Sequence, residues 1–282
     1  MNEALDGERV GVGVTRIPLR SPTLPPATDT NCYLVGEGDF YVVEPASPWP
    51  EEQRILEDAV RGRVARGHRL LGAIVTHHHR DHVGGARRLC EAFGVPLLAH
   101  PDTLARLDSQ APSDVALREG DALDPALAAL DIAVLHTPGH APGHLCLFAR
   151  AHGWMIVGDM IASIGTILID PSDDGDMDAY ITQIRRLAAL APSRLLPAHG
   201  APIDEAVARL EFYVSHRLAR EAKVLGAVRA HPTAIEDVVA EAYADTPGAH
   251  PELARRSATA HLDRLVKLGQ VVRDKDRWRR VT

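Results

Sequence analysis

One seven-residue stretch constrains this chain more than any other, because it places four strong metal ligands of two chemical types close together. The stretch is Thr76-His77-His78-His79-Arg80-Asp81-His82. An apolar run typical of a buried strand precedes it, and a helical pattern follows it. Residues two apart on an extended backbone point the same way, so His77 and His79 can hold one ion while Asp81 and His82 face a second. The spacing predicts half of a metal site on a strand-to-helix loop.

Length and charge predict two domains of different character. The 282 residues are 45% hydrophobic and carry a net charge of -7, which argues against nucleic-acid binding by the whole surface. The stretch 252–282 differs, since it holds nine basic and four acidic side chains. We therefore predict a larger domain over residues 1–210 and a smaller, basic one over residues 211–282.

The cysteines and the N-terminus bear on location. Cys32, Cys90 and Cys146 are odd in number and widely spaced, so they suggest no disulfide framework and favour a reducing compartment. Residues 1–6 are acidic and lack the apolar core of a signal peptide, and no later run approaches the roughly 20 apolar residues of a membrane span. We expect a soluble, cytoplasmic protein with no membrane partner.

Apolar runs along the chain alternate with helical patterns and turn residues. Strands are predicted at 10–17, 31–35, 40–43, 70–75, 95–99, 131–135, 145–148, 154–157 and 193–196, and helices at 51–65, 86–93, 176–190 and 204–229. After these come two further helices, 234–244 and 251–268, and a basic hairpin formed by 270–273 and 278–281. Helices followed by a basic hairpin are typical of a winged helix.

Three more possible ligands follow predicted strands. They are His140 in Thr137-Pro138-Gly139-His140, Asp159 after Gly158, and His199 in Pro197-Ala198-His199-Gly200. Together with the stretch 76–82, and in this order, these motifs resemble those of the metallo-β-lactamase-fold hydrolases. The resemblance covers about residues 10–215. It implies an α/β fold, a four-layer αββα sandwich whose two sheets present loops to a dinuclear metal site at one edge, and the C-terminal winged-helix-like domain would be additional to it.

The resemblance also implies a role for each ligand. The first ion would be held by the imidazoles of His77, His79 and His140. The second would be held by Asp81, His82 and His199, and Asp159 would bridge the two ions. Two Zn²⁺ ions are expected, with Mn²⁺ or iron possible at the second position. The implied nucleophile is a hydroxide between the ions, so Asp81 and Asp159 are the expected catalytic carboxylates.

The roles of two further side chains are harder to assign. His144 follows His140 by four residues, and it is expected either to contact substrate or to have a structural role. Glu44 stands where members of this family commonly carry Asp, which leaves its contact with the site open.

Several substrate classes remain. Along nearly its whole length the chain resembles the lactamase-β-like 2 branch, whose characterised members cleave single-stranded RNA, while related winged-helix members hydrolyse thioesters or esters. A glyoxalase II-like thioesterase is disfavoured because Met160–Thr166 lacks the Lys and Tyr that would contact glutathione. A DNA-binding regulator with a degenerate hydrolase domain is disfavoured by the complete ligand set.

The expected partner is therefore a small acyl substrate or single-stranded RNA. The basic C-terminal residues could attract phosphates, but winged helices often serve only as packing or dimerisation modules. A homo-oligomer is accordingly possible. The sequence predicts a metal-dependent hydrolase acting on an ester, a thioester or a phosphodiester.

Overall fold

A computed structural model gives the structure of the protein over residues 7–108, 111, 113–246 and 248–281. Residues 1–6, on which part of the expected location rests, lie outside this range. The described residues fall into two compact units. The first comprises Met1–Thr137, Gly143–Thr166 and Ala191–Val207, and the second comprises Pro138–Pro142, Ile167–Leu190 and Ala208–Thr282. The predicted domain boundary after residue 210 stays a prediction.

The first unit begins with a hairpin rather than with one strand. Strand β1 (Glu8–Gly11) pairs antiparallel with β2 (Val14–Arg20). The turn between them uses Gly13 at a φ of +67°, a left-handed conformation that glycine adopts without steric cost. The prediction of a single strand over 10–17 was therefore wrong, because the alternation of apolar residues continues through the turn and conceals it.

A seven-stranded sheet forms one layer of the first unit. Its remaining strands are β3 (Asp29–Val35), β4 (Phe40–Val43), β5 (Leu70–Ile74), β6 (Leu97–Ala99) and β7 (Val115–Ala116). The strands lie in chain order, antiparallel from β1 to β4 and parallel from β4 to β7. The parallel connections run through helices α1 (Pro50–Ala65), α2 (Arg80–Val83), α3 (Ala86–Phe93) and α4 (Pro101–Leu104). Parallel strands place the loops after them at one edge of the sheet.

A four-stranded sheet forms the next layer. It contains β8 (Ile132–His136), β9 (Leu145–Ala149), β10 (Trp154–Gly158) and β11 (Arg194–Pro197), in the spatial order β11, β10, β9, β8. Strands β10 and β11 are parallel, so the segments that follow them emerge side by side. The predicted strands in this region are confirmed.

Two apolar layers hold the first unit together. One lies between the sheets and includes Tyr33, Leu147 and Trp154, all buried. The other joins the seven-stranded sheet to α1 and α3, through residues such as Leu56 and Leu89. Each fully buried side chain of this size contributes about 1.5–3 kcal/mol. The site at the strand ends thus stands on a rigid base.

The second unit contains α5 (Met177–Ala189), most of α6 (Ala206–Ala227), and the C-terminal elements. These are β12 (Thr233–Ala234), α7 (Ile235–Ala242), α8 (Pro251–Lys267), β13 (Val271–Asp274) and β14 (Arg277–Arg280). A three-stranded sheet of order β12, β14, β13 packs on α7 and α8 around Leu262 and Trp278. The predicted helices and basic hairpin are confirmed, and β12 was missed because two residues are too few to give a pattern.

None of the helices within the described residues combines the length and the apolar character needed to cross a membrane.

Candidate metal centre

The loop after β5 brings two of the predicted ligands together. His77 is fully buried, and its Nδ1 lies 2.9 Å from the hydroxyl of Thr76. Its Nε2 lies 2.9 Å from Nδ1 of His79. Two ring nitrogens this close must share a proton or a cation. The loop therefore brings the two imidazoles together, as the His-x-His spacing predicts.

His82 lies on the short helix α2, one turn beyond the loop. Its ring is fully buried, and Nε2 has no hydrogen-bond partner among the described residues. The nearest oxygens are Oδ1 of Asp159 at 3.6 Å and Oδ1 of Asp81 at 3.8 Å. A buried nitrogen without a partner costs about 1–3 kcal/mol, so its direction towards two carboxylates favours a cation between them.

Asp159 and His199 follow the parallel neighbours β10 and β11, which places them side by side. Nε2 of His199 lies 3.3 Å from Oδ1 of Asp159 and 3.6 Å from Oδ2 of Asp81. Asp81, His82 and His199 each offer a ligand atom, and these atoms lie within 4.8 Å of one another. The group predicted for the second ion is thus brought together within the first unit, with Asp159 beside it.

Glu44 makes the contact that the sequence left open. It directly follows β4, is fully buried, and adopts a φ of +59°, unusual for a residue with a side chain. Oε1 accepts the backbone N–H of Thr76 at 2.6 Å, and Oε2 accepts the Nδ1–H of His82. This hydrogen bond commits Nδ1 to Glu44, so that Nε2 is the nitrogen that faces the carboxylates and can bind a proton or a metal ion between them.

The buried charges of this cluster shift one another's pKa values. Burial lowers the pKa of His82, but the negative charges of Glu44, Asp81 and Asp159 outweigh it and leave the pKa well above its usual value. Burial likewise lowers the pKa of His199, and Asp159 outweighs it, so that pKa is also raised. For Asp159, burial raises the pKa, but His199 and His82 hold it well below the usual range. The pocket favours a negative carboxylate facing positive charge.

Both ring nitrogens of His144 form hydrogen bonds within the first unit. Nε2 accepts the backbone N–H of Asp159 at 3.1 Å, and Nδ1 donates to the hydroxyl of Thr137 at 2.8 Å. The side chain is fully buried, so it offers no surface to a substrate. Of the two roles that the sequence left open, this geometry supports the structural one, in which His144 orients the backbone at Asp159.

Sequence reasoning missed two residues that hold the His199 loop. Asn31 on β3 donates to the carbonyl oxygens of Pro197 at 2.8 Å and of Gly200 at 2.7 Å. The hydroxyl of Tyr33, two residues along the same strand, also donates to Pro197 at 2.7 Å. Nδ1 of His199 donates to the carbonyl of Asp29 at 3.0 Å. A polar Asn on an apolar strand was the available signal.

His140 belongs to the second unit. It is buried, and its Nδ1 donates to the carbonyl oxygen of Leu168 at 2.9 Å, so the ring carries its lone pair on Nε2. A Cβ atom on the preceding Gly139, which has a φ of +137°, would lie 2.4 Å from the backbone of Tyr180. The close approach explains the glycine of the Pro-Gly-His motif. The role of His140 as third ligand of the first ion stays a prediction.

The donor set fits divalent metal ions. Neutral imidazoles with fixed tautomers and ionised carboxylates are the ligands that zinc, manganese and ferrous iron share in proteins. His82 adds a buried nitrogen whose hydrogen-bonding capacity the described residues do not satisfy. The residues could therefore hold a metal at Asp81, His82 and His199.

Changing Glu44 to Gln should weaken metal binding. A glutamine can offer its oxygen to Thr76 or to His82 but not to both, so the tautomer of His82 is no longer fixed. We expect about 10- to 100-fold lower zinc affinity, measured by competition with a chromogenic chelator.

Glu57 provides the matched control, since this glutamate is also buried but pairs with Arg61 and Arg88 on the helical side of the sheet. Glu57→Gln should keep the zinc affinity of the unmodified protein. Equal affinities in the two variants would contradict the role assigned to Glu44.

Zinc affinity should rise with pH. Because the pKa values of His82 and His199 are raised, these imidazoles keep their protons to higher pH than a free imidazole does, and those protons must leave when a metal binds. The apparent dissociation constant should fall between about pH 6 and about pH 8, with proton release in weakly buffered solution. An affinity independent of pH, with no proton release, would show that these two imidazoles are not ligands.

Comparison with known proteins agrees with this geometry. Residues 25–199 match the Metallo-beta-lactamase superfamily, and residues 234–278 match the Beta-lactamase associated winged helix domain. The chain is 27% identical over 278 residues to the Beta-lactamase-like protein 2 homolog of Drosophila melanogaster, covering 93% of this chain and 91% of that protein. It is 31% identical over 208 residues to Thioesterase pkgB of Emericella nidulans, covering 72% and 55% respectively.

A solved structure has the same fold. The beta-lactamase domain protein of Burkholderia ambifaria superposes with a TM-score of 0.85 at 23% identity, over 100% of this chain and 95% of that one. The expected α/β fold with a C-terminal winged helix is confirmed. Because the family match covers more than half of the sequence, the chain belongs to the metallo-beta-lactamase superfamily and is a metal-dependent hydrolase with a C-terminal winged helix domain.

Proposed function

We propose that this protein hydrolyses acyl thioesters or esters with two divalent metal ions, zinc in the first instance. The proposed ligands are those that the family pattern assigns: His77, His79, His140, Asp81, His82, His199 and Asp159. The location we propose is the cytoplasm.

The observation that carries the substrate class is the character of two loops beside His199. The hydroxyl of Thr23 lies 3.5 Å from Nε2 of His199, and the N–H of Ser163 donates to the carbonyl of the same histidine at 3.1 Å. Residues 21–28 and 160–166, which form these loops, contain no charged side chain. They bring neutral surface to the metal-binding residues.

Two apolar side chains project from these loops. Leu24 is 52% exposed and Ile164 is 42% exposed. The loops also approach each other, since a Cβ atom on Gly165 would lie 3.0 Å from the ring of Pro26. An exposed apolar surface of this kind fits the hydrocarbon part of an acyl group, and it offers no cation to a phosphate.

The residues of the first unit would divide the chemistry between them. Metal ions at this site would supply Lewis acidity and bring the pKa of a bound water towards neutrality. Asp159, kept ionised by its two histidines, would accept a hydrogen bond from the attacking water and orient it. Glu44 and His144 would hold His82 and the backbone of Asp159 in place. The name of the Emericella nidulans relative supports a thioester substrate.

A substrate screen tests the proposal directly. Zinc-loaded protein should hydrolyse acyl thioesters and simple esters, followed by thiol release or absorbance, and should leave bis(p-nitrophenyl) phosphate and single-stranded RNA intact. Asp159→Asn should lose at least about 100-fold in kcat, because it removes a charge from the reacting centre. No turnover of any thioester or ester by protein with both ions bound would refute the proposal.

A second candidate, RNA cleavage, is favoured by the hairpin of the second unit. Arg277, Arg279 and Arg280 are exposed on β14. Three guanidinium groups on one short strand can contact a phosphate backbone, and such binding weakens steeply with salt. Cleavage of RNA in the screen, lost between about 50 and about 200 mM salt, would support this alternative instead.

Changing Leu24 to Glu should impair acyl substrates selectively. Removing an apolar contact worth about 1.5–3 kcal/mol lowers kcat/KM about tenfold or more. The loss should grow with acyl chain length, and zinc content should not change.

Leu190→Glu is the matched control, because Leu190 is 40% exposed at the end of α5 in the second unit. It should leave the kinetics unaltered. A Leu24→Glu protein with the kcat/KM of the unmodified protein for every chain length would remove the apolar loops from the substrate site.

A further inference from the structure

Within the second unit, two elements fix the position of His140. Leu168 accepts the imidazole Nδ1–H, and Tyr180 at the start of α5 packs directly against the backbone of Gly139. The carbonyl of Gly139 also accepts the N–H of Asp176 at 2.8 Å. The direction of the His140 ring therefore depends on where residues 167–180 are held.

Arg217 on α6 touches both of these elements. Its side chain is buried, with 4% of the residue exposed, and Nη2 donates to the carbonyl of Ile167, the neighbour of Leu168. Its guanidinium carbon also lies 5.4 Å from the ring centroid of Tyr180. One planar cation thus contacts both Ile167 and Tyr180.

Cations of α8 hold the same segment from the winged-helix part of the chain. Arg256 pairs with Asp170 at 3.0 Å, and Lys267 pairs with Asp176 at 2.6 Å. Asp176 also caps α5, since its Oδ1 accepts two backbone N–H groups in the first turn. Helix α8 is therefore paired with carboxylates of the segment 167–180, which contacts both Gly139 and His140.

We propose that Arg217, supported by Arg256 and Lys267, is a positioning residue for His140, so that the C-terminal helices fix the orientation of this imidazole. The proposal rests on the ligand role of His140 in the proposed function. The buried guanidinium of Arg217 holds the carbonyl of Ile167 and thereby restrains the next residue, Leu168, whose carbonyl accepts the Nδ1–H of His140. A fixed acceptor orients the Nε2 lone pair of the imidazole. The C-terminal helices thereby affect metal affinity from outside the ligand set.

The test is zinc binding to the full-length protein. Arg217→Met should weaken the binding of one of two zinc ions about tenfold and leave the other unchanged, measured by chelator competition and by elemental analysis. In the cobalt-loaded protein the visible spectrum should change, reporting altered geometry at one ion. A merely structural role would lower the unfolding temperature without altering either reading.

Arg220→Met is the matched control. Arg220 lies one turn further along α6 and donates to the carbonyl of Ala242, with a second contact to Asp245 at 2.9 Å. Arg220 contacts residues 242–246 rather than residues 167–180. The zinc affinity of the Arg220→Met protein should therefore equal that of the unmodified protein. A folded Arg217→Met protein with unaltered zinc affinity and cobalt spectrum overturns the proposal.

A second variant decides the case if Arg217→Met does not fold. The double variant Arg256→Met, Lys267→Met removes two cations whose side chains are 42% and 55% exposed, and it should fold. It should bind one zinc ion about threefold more weakly than Arg255→Met does. The side chain of Arg255 is also exposed, and among the described residues its ion pair is with Glu252 of the same helix. Equal affinities of these two proteins overturn the proposal in that case.

His140→Ala separates this inference from the proposed function. Loss of one zinc ion in His140→Ala with no change in the positioning variants means that only the positioning role fails. Unchanged zinc binding in His140→Ala means that the ligand assignment itself fails. A protein that binds both ions but turns over no ester leaves the positioning result standing.

Discussion

The rest of the site depends on the electrostatic interaction between the buried carboxylate of Asp159 and the imidazoles of His82 and His199. An ionised carboxylate out of water is costly unless positive charge faces it. In the metal-free protein the two imidazoles can supply that charge by holding protons, since their pKa values are raised. Metal ions can replace those protons, and so the same arrangement that keeps the folded chain electrostatically balanced also prepares it to bind metal.

The scaffold supports this charge cluster with hydrogen bonds from the backbone and from buried side chains. Asn31 and Tyr33 hold the loop of His199, His144 holds the backbone at Asp159, and Glu44 holds His82. Asn31, Tyr33 and Glu44 lie in or directly after strands that are packed between two apolar layers, and His144 directly precedes β9, which packs on the layer between the sheets. Ligand positions are therefore as rigid as the core beneath them, which favours preorganised chemistry.

The second unit adds a different kind of support. Its residues 138–142 and 167–190 come from the family-matched part of the sequence, yet they group with the C-terminal helices. Arg217, Arg256 and Lys267 are bonded to this part of the chain. Under the proposed positioning role, the winged helix would need no nucleic-acid partner to account for its presence, while the exposed arginines of β14 leave RNA binding open to experiment.

The sequence by itself determined most of the order of strands and helices and the ligand motifs, because apolar periodicity and the His-x-His-x-Asp-His spacing are local properties. It could not reveal the turn at Gly13, since the alternation runs through it. Only the tertiary structure decided which partners the ligands have, because contacts such as those from Glu44 to His82 and from Arg217 to Ile167 join residues 38 and 50 positions apart. Such contacts depend on how the strands pair and the helices pack, and no local pattern records them.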